Sequence, residues 1–512
     1  MPTSFRQYPA FTKQLLPSEG AGRRIVVLGA GMAGLVAASQ LVQAGPDGVV
    51  LDARGEAGGR VRPLRAPFEG GLHAEAGAMY RHGHHTHPMG YAALLDLPLV
   101  PIPHGRGAVA VMRGRRLVAA DRPTTRWPVT LDPREPRTAH ALIARYIVPV
   151  VRREMRALHA RRFPTRALRH LDDMTTAEFL RHRGASAGAI EILSMGYLDL
   201  MGEGIHAVSA LTMLRDLTAS FGAVPHTAAL FGVGGNRPDP FDHGVRVAGE
   251  PGRLSHADIE KGSWMIQGGN DRLPRALADT PELRSRMVYR AEVVRLAERG
   301  ATIRVSARTP RGVRHWSADA VICTIPFSVL RDVALDVPLA DAARDAIATM
   351  RQTSVVRQYV QLPSRPWRRV NPSGVAVTDT PVMYVNDQSC TQPGPRGILE
   401  SYSAGRQARW WMSLPAAERR RELDRQLDQV YPRITRRVLA RAVMDWDADP
   451  HARGAYAAFE PGMLRRQLPA LSGRHGRLWF AGDALSRLPG WIQGALERAH
   501  EVAEAVHRAS RA

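Results

Sequence analysis

The hydrophobic pattern opens with four apolar residues in a row, Ile25-Val26-Val27-Leu28. An unbroken apolar run that ends on glycine predicts a strand buried on both faces, as in a parallel sheet. Gly29-Ala30-Gly31-Met32-Ala33-Gly34 follows, and apolar positions at helical spacing then predict a helix over 33–44, stopped by Gly45-Pro46. A second strand, Val49-Val50-Leu51, ends on Asp52. Two more all-apolar segments, Ala320-Val321-Ile322-Cys323 and Trp479-Phe480-Ala481, lie far down the chain. Ahead of both, the pattern is mostly helical over 111–250. A helix is predicted over 138–158, and another begins at Thr175, where Glu178 stands at capping-box spacing. The stretch 232–252, rich in Gly, Pro and Asp, reads as a long loop.

The first strand–helix–strand unit carries a dinucleotide chemistry. Gly29 permits the tight turn after the strand, Gly31 lets a pyrophosphate approach the backbone, and Gly34 lets the helix pack close. The helix start, Met32 and Ala33 included, turns free N–H groups toward the phosphates. Asp52 is placed to accept hydrogen bonds from a ribose diol. It is followed by Ala53, Arg54 and then Gly58-Gly59-Arg60.

Composition adds little against this. The chain has 512 residues, enough for two domains with real cores, and 44% hydrophobic content is ordinary for a globular protein. Net charge is +22, which raises an anionic partner. The basic residues are nearly all Arg and scattered, as coding bias would leave them, and no nucleic-acid-binding signature accompanies them. No partner nucleic acid is expected. Nor is a membrane span, and the absence of an apolar signal core favours the cytoplasm. The cysteines, Cys323 and Cys390, make neither a disulfide scaffold nor a zinc site. His82, His84, His85 and His87 fall in a Gly/Pro loop without Cys or Asp, so a loop near a site entrance is expected there and no metal.

Several segments together resemble the flavin-containing amine oxidases, the L-amino-acid oxidase branch above all. They are Gly58-Gly59-Arg60, Ala74-Glu75-Ala76-Gly77-Ala78-Met79, Gln267-Gly268-Gly269-Asn270-Asp271-Arg272-Leu273-Pro274, and Ala481-Gly482-Asp483 with Gly490-Trp491-Ile492. The resemblance implies an α/β fold of glutathione-reductase type: a Rossmann-like FAD-binding domain interleaved with an α+β substrate-binding domain. The expected divisions are 20–110, 255–340 and 446–512 for FAD, and 111–254 and 341–445 for substrate. It implies FAD as cofactor. Arg60 would meet the pyrophosphate, Gly77, Ala78 and Met79 would pass beside the isoalloxazine, and the Val293 backbone would meet adenine. Gly482-Asp483 would hold the ribityl chain, and the Ile492 N–H the flavin O2 region.

The resemblance also implies the chemistry. A neutral amine or amino acid lies against the flavin, hydride passes from the carbon alpha to nitrogen to flavin N5, and O2 reoxidises the flavin to give H2O2. Tyr456 and Trp491 match the two walls of the family's aromatic cage. Two departures qualify this. Arg357, ahead of Trp367, stands where the family has a lysine near N5. An arginine cannot lose its proton near neutral pH, so it either assists oxygen electrostatically or clamps a substrate carboxylate, and dehydrogenase behaviour gains weight. Met79 is followed by Tyr80 and then Arg81, whereas L-amino-acid oxidases place the carboxylate-binding Arg directly after the methionine. A tailoring enzyme of secondary metabolism and a non-catalytic flavoprotein scaffold are the alternatives. Oligomeric state is left open, a homodimer included.

Overall fold

A computed structural model describes residues 23–43, 47–79, 81–83, 85–103, 108–158, 160, 163–220, 245–250, 252–254 and 262–511. The apolar runs assemble as one sheet. Its strand order is Met287–Val288, Asp47–Leu51, Arg24–Leu28, Ala320–Cys323, Leu478–Phe480 and Arg474–His475. All neighbours are parallel except the last pair. Each central strand is buried on both faces because the sheet is a middle layer. Ile25, Val27, Val50 and Ile322 pack toward the helices Met32–Gln43 and Ile492–Arg511. Val26, Leu28, Val321 and Cys323 pack the other way, with Val293, Val305 and Ala307 of an antiparallel sheet built on Glu292–Arg299, Thr302–Thr309 and Gly312–Ala318. The expected strand at 320–323 therefore holds Cys323 as a buried core thiol, its pKa pushed up to about 12 by burial.

A second, seven-stranded sheet stands beside the first. Its order is Ala440–Asp445, Val355–Leu362, Gly397–Ala404, Tyr384–Asp387, Ala376–Thr378, Val109–Met112 and Arg115–Leu117. Period-two alternation again divides its faces. Val356, Val360 and Leu362 pack with Trp411, Leu423 and Leu427 from the helices Gly405–Ser413 and Ala416–Val430. Val355 and Tyr359 point to the opposite face, onto Leu72, Ala74 and Ala76. Arg357 has their parity, so strand geometry alone turns it toward the first sheet.

The helical part covers one end of the groove between the sheets. The single helix expected over 138–158 is two, Ala139–Tyr146 and Val148–Leu158. Pro149 lacks an N–H, so it fits the first turn of a new helix and not the interior of a continuous one. The capping box forms as read, with the Thr175 Oγ1 accepting from the Glu178 N–H and the Glu178 carboxylate accepting from the Thr175 N–H. The loop expected at 232–252 lies largely outside the described residues. Its described end includes Val245–Arg246, paired antiparallel with Arg253–Leu254. Among the described residues no helix is long and apolar enough to cross a membrane.

The closeness of the first helix to its strand rests on Gly34. A Cβ there would stand 1.8 Å from the Gly29 carbonyl oxygen, which no rotamer relieves. Gly34→Ala is expected to lower stability by about 1–3 kcal/mol, the overpacking range, read as a lower urea midpoint and a smaller soluble yield.

Candidate active site

Between the two sheets runs a single cavity of about 1670 Å³. A pocket for one drug-sized ligand occupies about 300–1,000 Å³, so this one has room for a dinucleotide and a second molecule. Its walls include every described residue that the sequence assigned to the cofactor except Gly34, which lies behind the turn.

The phosphate end is built from facing glycines. Gly29 adopts φ +103° as the strand turns into the helix. Gly31 faces open space, with nothing within 4 Å of where a Cβ would stand. Gly58 donates its N–H to the Ala30 carbonyl at 2.9 Å, and a Cβ on Gly59 would press on Gly31 Cα at 3.3 Å. The open cradle at Gly31, the helix N-terminus behind it and the carboxylate of Asp52 fit the diphosphate and ribose of FAD. Asp52 is buried and holds the turn, accepting the Ala30 and Arg54 N–H groups at 2.6 and 2.7 Å. Burial raises its pKa and those two donors oppose the rise. The Arg54 side chain is committed elsewhere, to Asp449 at 2.6 Å. Ala53 and Val293 line the same end.

Arg60 ties the two ends of the chain together. Its Nη2 meets the Asp483 carboxylate at 2.5 Å, and its Nη1 donates to the Ala455 carbonyl at 2.5 Å. Asp483 also accepts the Gly490 N–H at 3.1 Å, which shapes the turn before Trp491. The expected roles for Arg60 at pyrophosphate and Asp483 at ribityl thus belong to residues that first hold each other. Gly482, at φ +134°, makes the preceding bend, and Ile492 begins the last helix at the cavity wall.

The stretch expected beside the isoalloxazine is pinned from three directions. Asn270 is fully buried, donates through Nδ2 to the Ala78 and Met79 carbonyls at 3.0 and 2.7 Å, and gives its own N–H to the Glu75 carboxylate at 2.7 Å. Trp446 donates its indole N–H to the Ala76 carbonyl at 2.8 Å. Arg357 and Tyr359 both donate to the Glu75 carbonyl, at 2.8 and 3.0 Å. Gly77 has no room for a side chain, since a Cβ would stand 1.8 Å from the Arg60 carbonyl oxygen.

Tyr456, Trp491 and Arg357 line the cavity together. The Tyr456 ring lies against Gly490, within 3.2 Å of a Cβ placed there. Its hydroxyl donates to the Leu200 carbonyl at 2.5 Å and meets the Tyr402 hydroxyl at 3.2 Å. The Trp491 indole N–H donates to Asp216 at 2.7 Å, and its ring packs against both His82 and His85, at centroid distances of 5.3 and 5.0 Å, while those two rings touch each other at 5.1 Å. Arg357 is buried at 7% exposure, with its Nε 3.3 Å from the Glu400 carboxylate and its guanidinium 4.4 Å over the Tyr402 ring. Burial disfavours that charge, and the Glu400 carboxylate outweighs it, holding Arg357 protonated above the ordinary range. Asn386 donates to Glu400 at 2.8 Å, and Gln388 donates to it as well.

Tyr80 lies outside the described residues, as does the side chain of Arg81, whose backbone pairs with Trp264. Among the described residues no cluster could hold a metal ion. Of the histidines, His82 lines the cavity and His85 is buried beside Trp491. Sequence reading missed Glu400, Tyr402, Asp216 and the buried role of Asn270. Only Asn270 carried a local signal, an amide inside the Gly268-Gly269 turn segment, where one buried side chain both donates and accepts.

One substitution separates cradle from scaffold. Gly31→Ala adds a methyl where the protein has open space, so the flavin-free fold should keep its unfolding midpoint. FAD affinity should fall at least about ten-fold, about 1.4 kcal/mol, measured by flavin titration.

Comparison with known proteins agrees with this geometry. The profile of the family described as flavin containing amine oxidoreductase matches residues 32–507. The chain is 27% identical over 499 residues to the Bacillus subtilis (strain 168) protein named "Putative L-amino-acid oxidase YobN", covering 95% of both chains. It is 23% identical over 522 residues to an L-amino-acid oxidase of Vipera ammodytes ammodytes, covering 99% of this chain and 97% of the relative. Among solved structures, cyclohexylamine oxidase from Brevibacterium oxydans IH-35A superposes with a TM-score of 0.72 at 18% identity, covering 96% of this chain and 100% of the other. Wild-type putrescine oxidase bound to putrescine superposes with a TM-score of 0.73 at 20% identity, covering 94% and 98%. The glycine cradle, the paired ends of the chain and the whole-length family match lead to one conclusion: this protein belongs to the flavin-containing amine oxidoreductases and is an FAD-dependent enzyme.

Proposed function

We propose that the enzyme oxidises the C–N bond of an L-amino acid or a related amine to an imine, with O2 as acceptor and H2O2 as product. The observation that carries this reading is the cavity wall shared by Tyr456 and Trp491, directly continuous with the nucleotide cradle. Bound FAD supplies the two-electron acceptor. The protein's part is placement. Tyr456 is fixed by two hydroxyl contacts and Trp491 by its indole N–H. Rings held this way orient an amine at low entropic cost. Ile143, Ile192, Leu198 and Val208 line the same cavity, an apolar wall that suits an apolar side chain.

Arg357 bears on the acceptor. Its Nε faces the Glu400 carboxylate and its Nη1 donates to the Glu75 carbonyl, so the guanidinium is tied to protein groups on two sides. This supports positioning within the wall over a carboxylate clamp. It also favours a second reading, in which the enzyme reacts slowly with oxygen and passes electrons to another acceptor.

Anaerobic mixing with a panel of L-amino acids and alkyl or arylalkyl amines should bleach the visible band of the oxidised flavin. If none does so, the proposed reaction is wrong. Admitting air should then restore the band with stoichiometric peroxide, and failure to do so would select the second reading. Arg357→Lys is expected to speed reoxidation by about ten-fold, equal to 1.4 kcal/mol of barrier, measured by stopped-flow mixing of reduced enzyme with oxygen.

A further inference from the structure

Five arginines stand in the cavity wall among the described residues: Arg54, Arg60, Arg308, Arg357 and Arg453. Each is ion-paired, with Asp449, Asp483, Glu292, Glu400 and Asp332 in that order. The Arg357–Glu400 pair is the most deeply buried of them, its side chains 8% and 0% exposed. Strand register puts it there. Glu400 lies opposite Tyr359 on one neighbouring strand and Asn386 on the other, two residues from Tyr402, which faces Arg357. Long side chains reach across such a diagonal. Glu400 also accepts from Asn386 at 2.8 Å and from Gln388. Two amide donors and a guanidinium together favour its charged form. The guanidinium in turn covers the Tyr402 ring at 4.4 Å, and the Tyr402 hydroxyl meets that of Tyr456 at 3.2 Å.

We propose that Glu400 determines the specificity of the amine site: by matching the charge of Arg357 it leaves the wall beside Tyr402 and Tyr456 without net positive charge, and the substrate is an amine on an apolar body with no carboxylate on the reacting carbon. Glu400 acts through Arg357 and is a positioning residue. A substrate carboxylate entering here would lose its water. Its attraction to the guanidinium would be offset by repulsion from Glu400, which stands 3.3 Å from the Arg357 Nε. An amine without that group avoids both costs, and its body meets the apolar wall of Ile143, Ile192, Leu198 and Val208. This inference rests on the reading of the cavity as an amine site.

The test uses flavin-loaded enzyme and two probes of one shape, benzoate and benzamide, titrated by the perturbation of the flavin absorption spectrum. Wild type is expected to favour benzoate by no more than about two-fold. Glu400→Gln keeps the volume and removes the matching charge, so benzoate should become favoured by about ten-fold or more, as the partner that Arg357 has lost. Glu400→Met serves as a second neutral variant should the first lose flavin. Removing both charges, in the Arg357→Gln/Glu400→Gln double variant, should restore the wild-type ratio, and Glu400→Asp should keep it. A benzoate preference of about ten-fold in wild type would mean that a further cation serves the site, and overturns the proposal. An unchanged ratio in a flavin-loaded neutral variant overturns it too. The substrate class is read by anaerobic reduction of wild type with 2-phenylethylamine and L-phenylalanine, which differ only by the carboxylate. The amine should reduce the flavin more efficiently by about ten-fold. Equal or faster reduction by L-phenylalanine would sink this assignment and leave the proposed reaction standing. Probe ratios that move as expected in an enzyme reduced by no amine would do the reverse.

Discussion

The contact between Arg60 and Asp483 is the one on which the site's construction depends. Arg60 comes from the first glycine-rich unit and Asp483 from the end of the last strand, with the whole substrate part of the chain between them. Neither can be placed alone. Arg60 also spans to the Ala455 carbonyl, and Asp483 to the Gly490 N–H. One guanidinium and one carboxylate therefore set the positions of the nucleotide cradle, the Tyr456 segment and the Trp491 turn. The pair is half-buried, so loss of either partner would leave the other's charge with little water to replace it.

A second constraint is the parity of the strands. On Val355–Leu362 successive side chains alternate between the helices behind the seven-stranded sheet and the groove in front of it. Arg357 shares the groove face with Val355 and Tyr359 and lies opposite Tyr402 in the antiparallel register. The guanidinium over the Tyr402 ring, and the Tyr402 hydroxyl against that of Tyr456, make a continuous path from Glu400 to Tyr456 at the cavity wall. A slip of one residue would bury the arginine among Trp411 and Leu423, where it could not stay charged.

Much of the cofactor site was legible because its chemistry is local. A strand, a tight turn and a helix start lie within a dozen residues, and the glycines there answer to the backbone alone. The four central strands of the six-stranded nucleotide sheet were visible as unbroken apolar runs, since a middle layer needs no polar face. The reading failed where the reason was not local. Pro149 divided a segment whose apolar spacing was continuous. Arg54 lines the cavity, and what its position in the chain did not show is its side-chain partner Asp449, close only after the sheets have packed.

By itself the sequence determined the cofactor, the fold and the reaction family, because backbone turns and strand periodicity are properties of neighbouring residues. It also singled out Tyr456, Trp491 and Arg357 by their resemblance to family motifs, and all three line the cavity. Tertiary structure decided what those side chains touch. It put Glu400 against Arg357, Asn270 under the Glu75–Met79 stretch and Asp216 on Trp491. Each of these pairings joins residues from distant parts of the chain through a buried polar contact. Such a contact leaves no periodicity behind, because a single polar residue inside an apolar pattern shows only that a partner exists, not where it is.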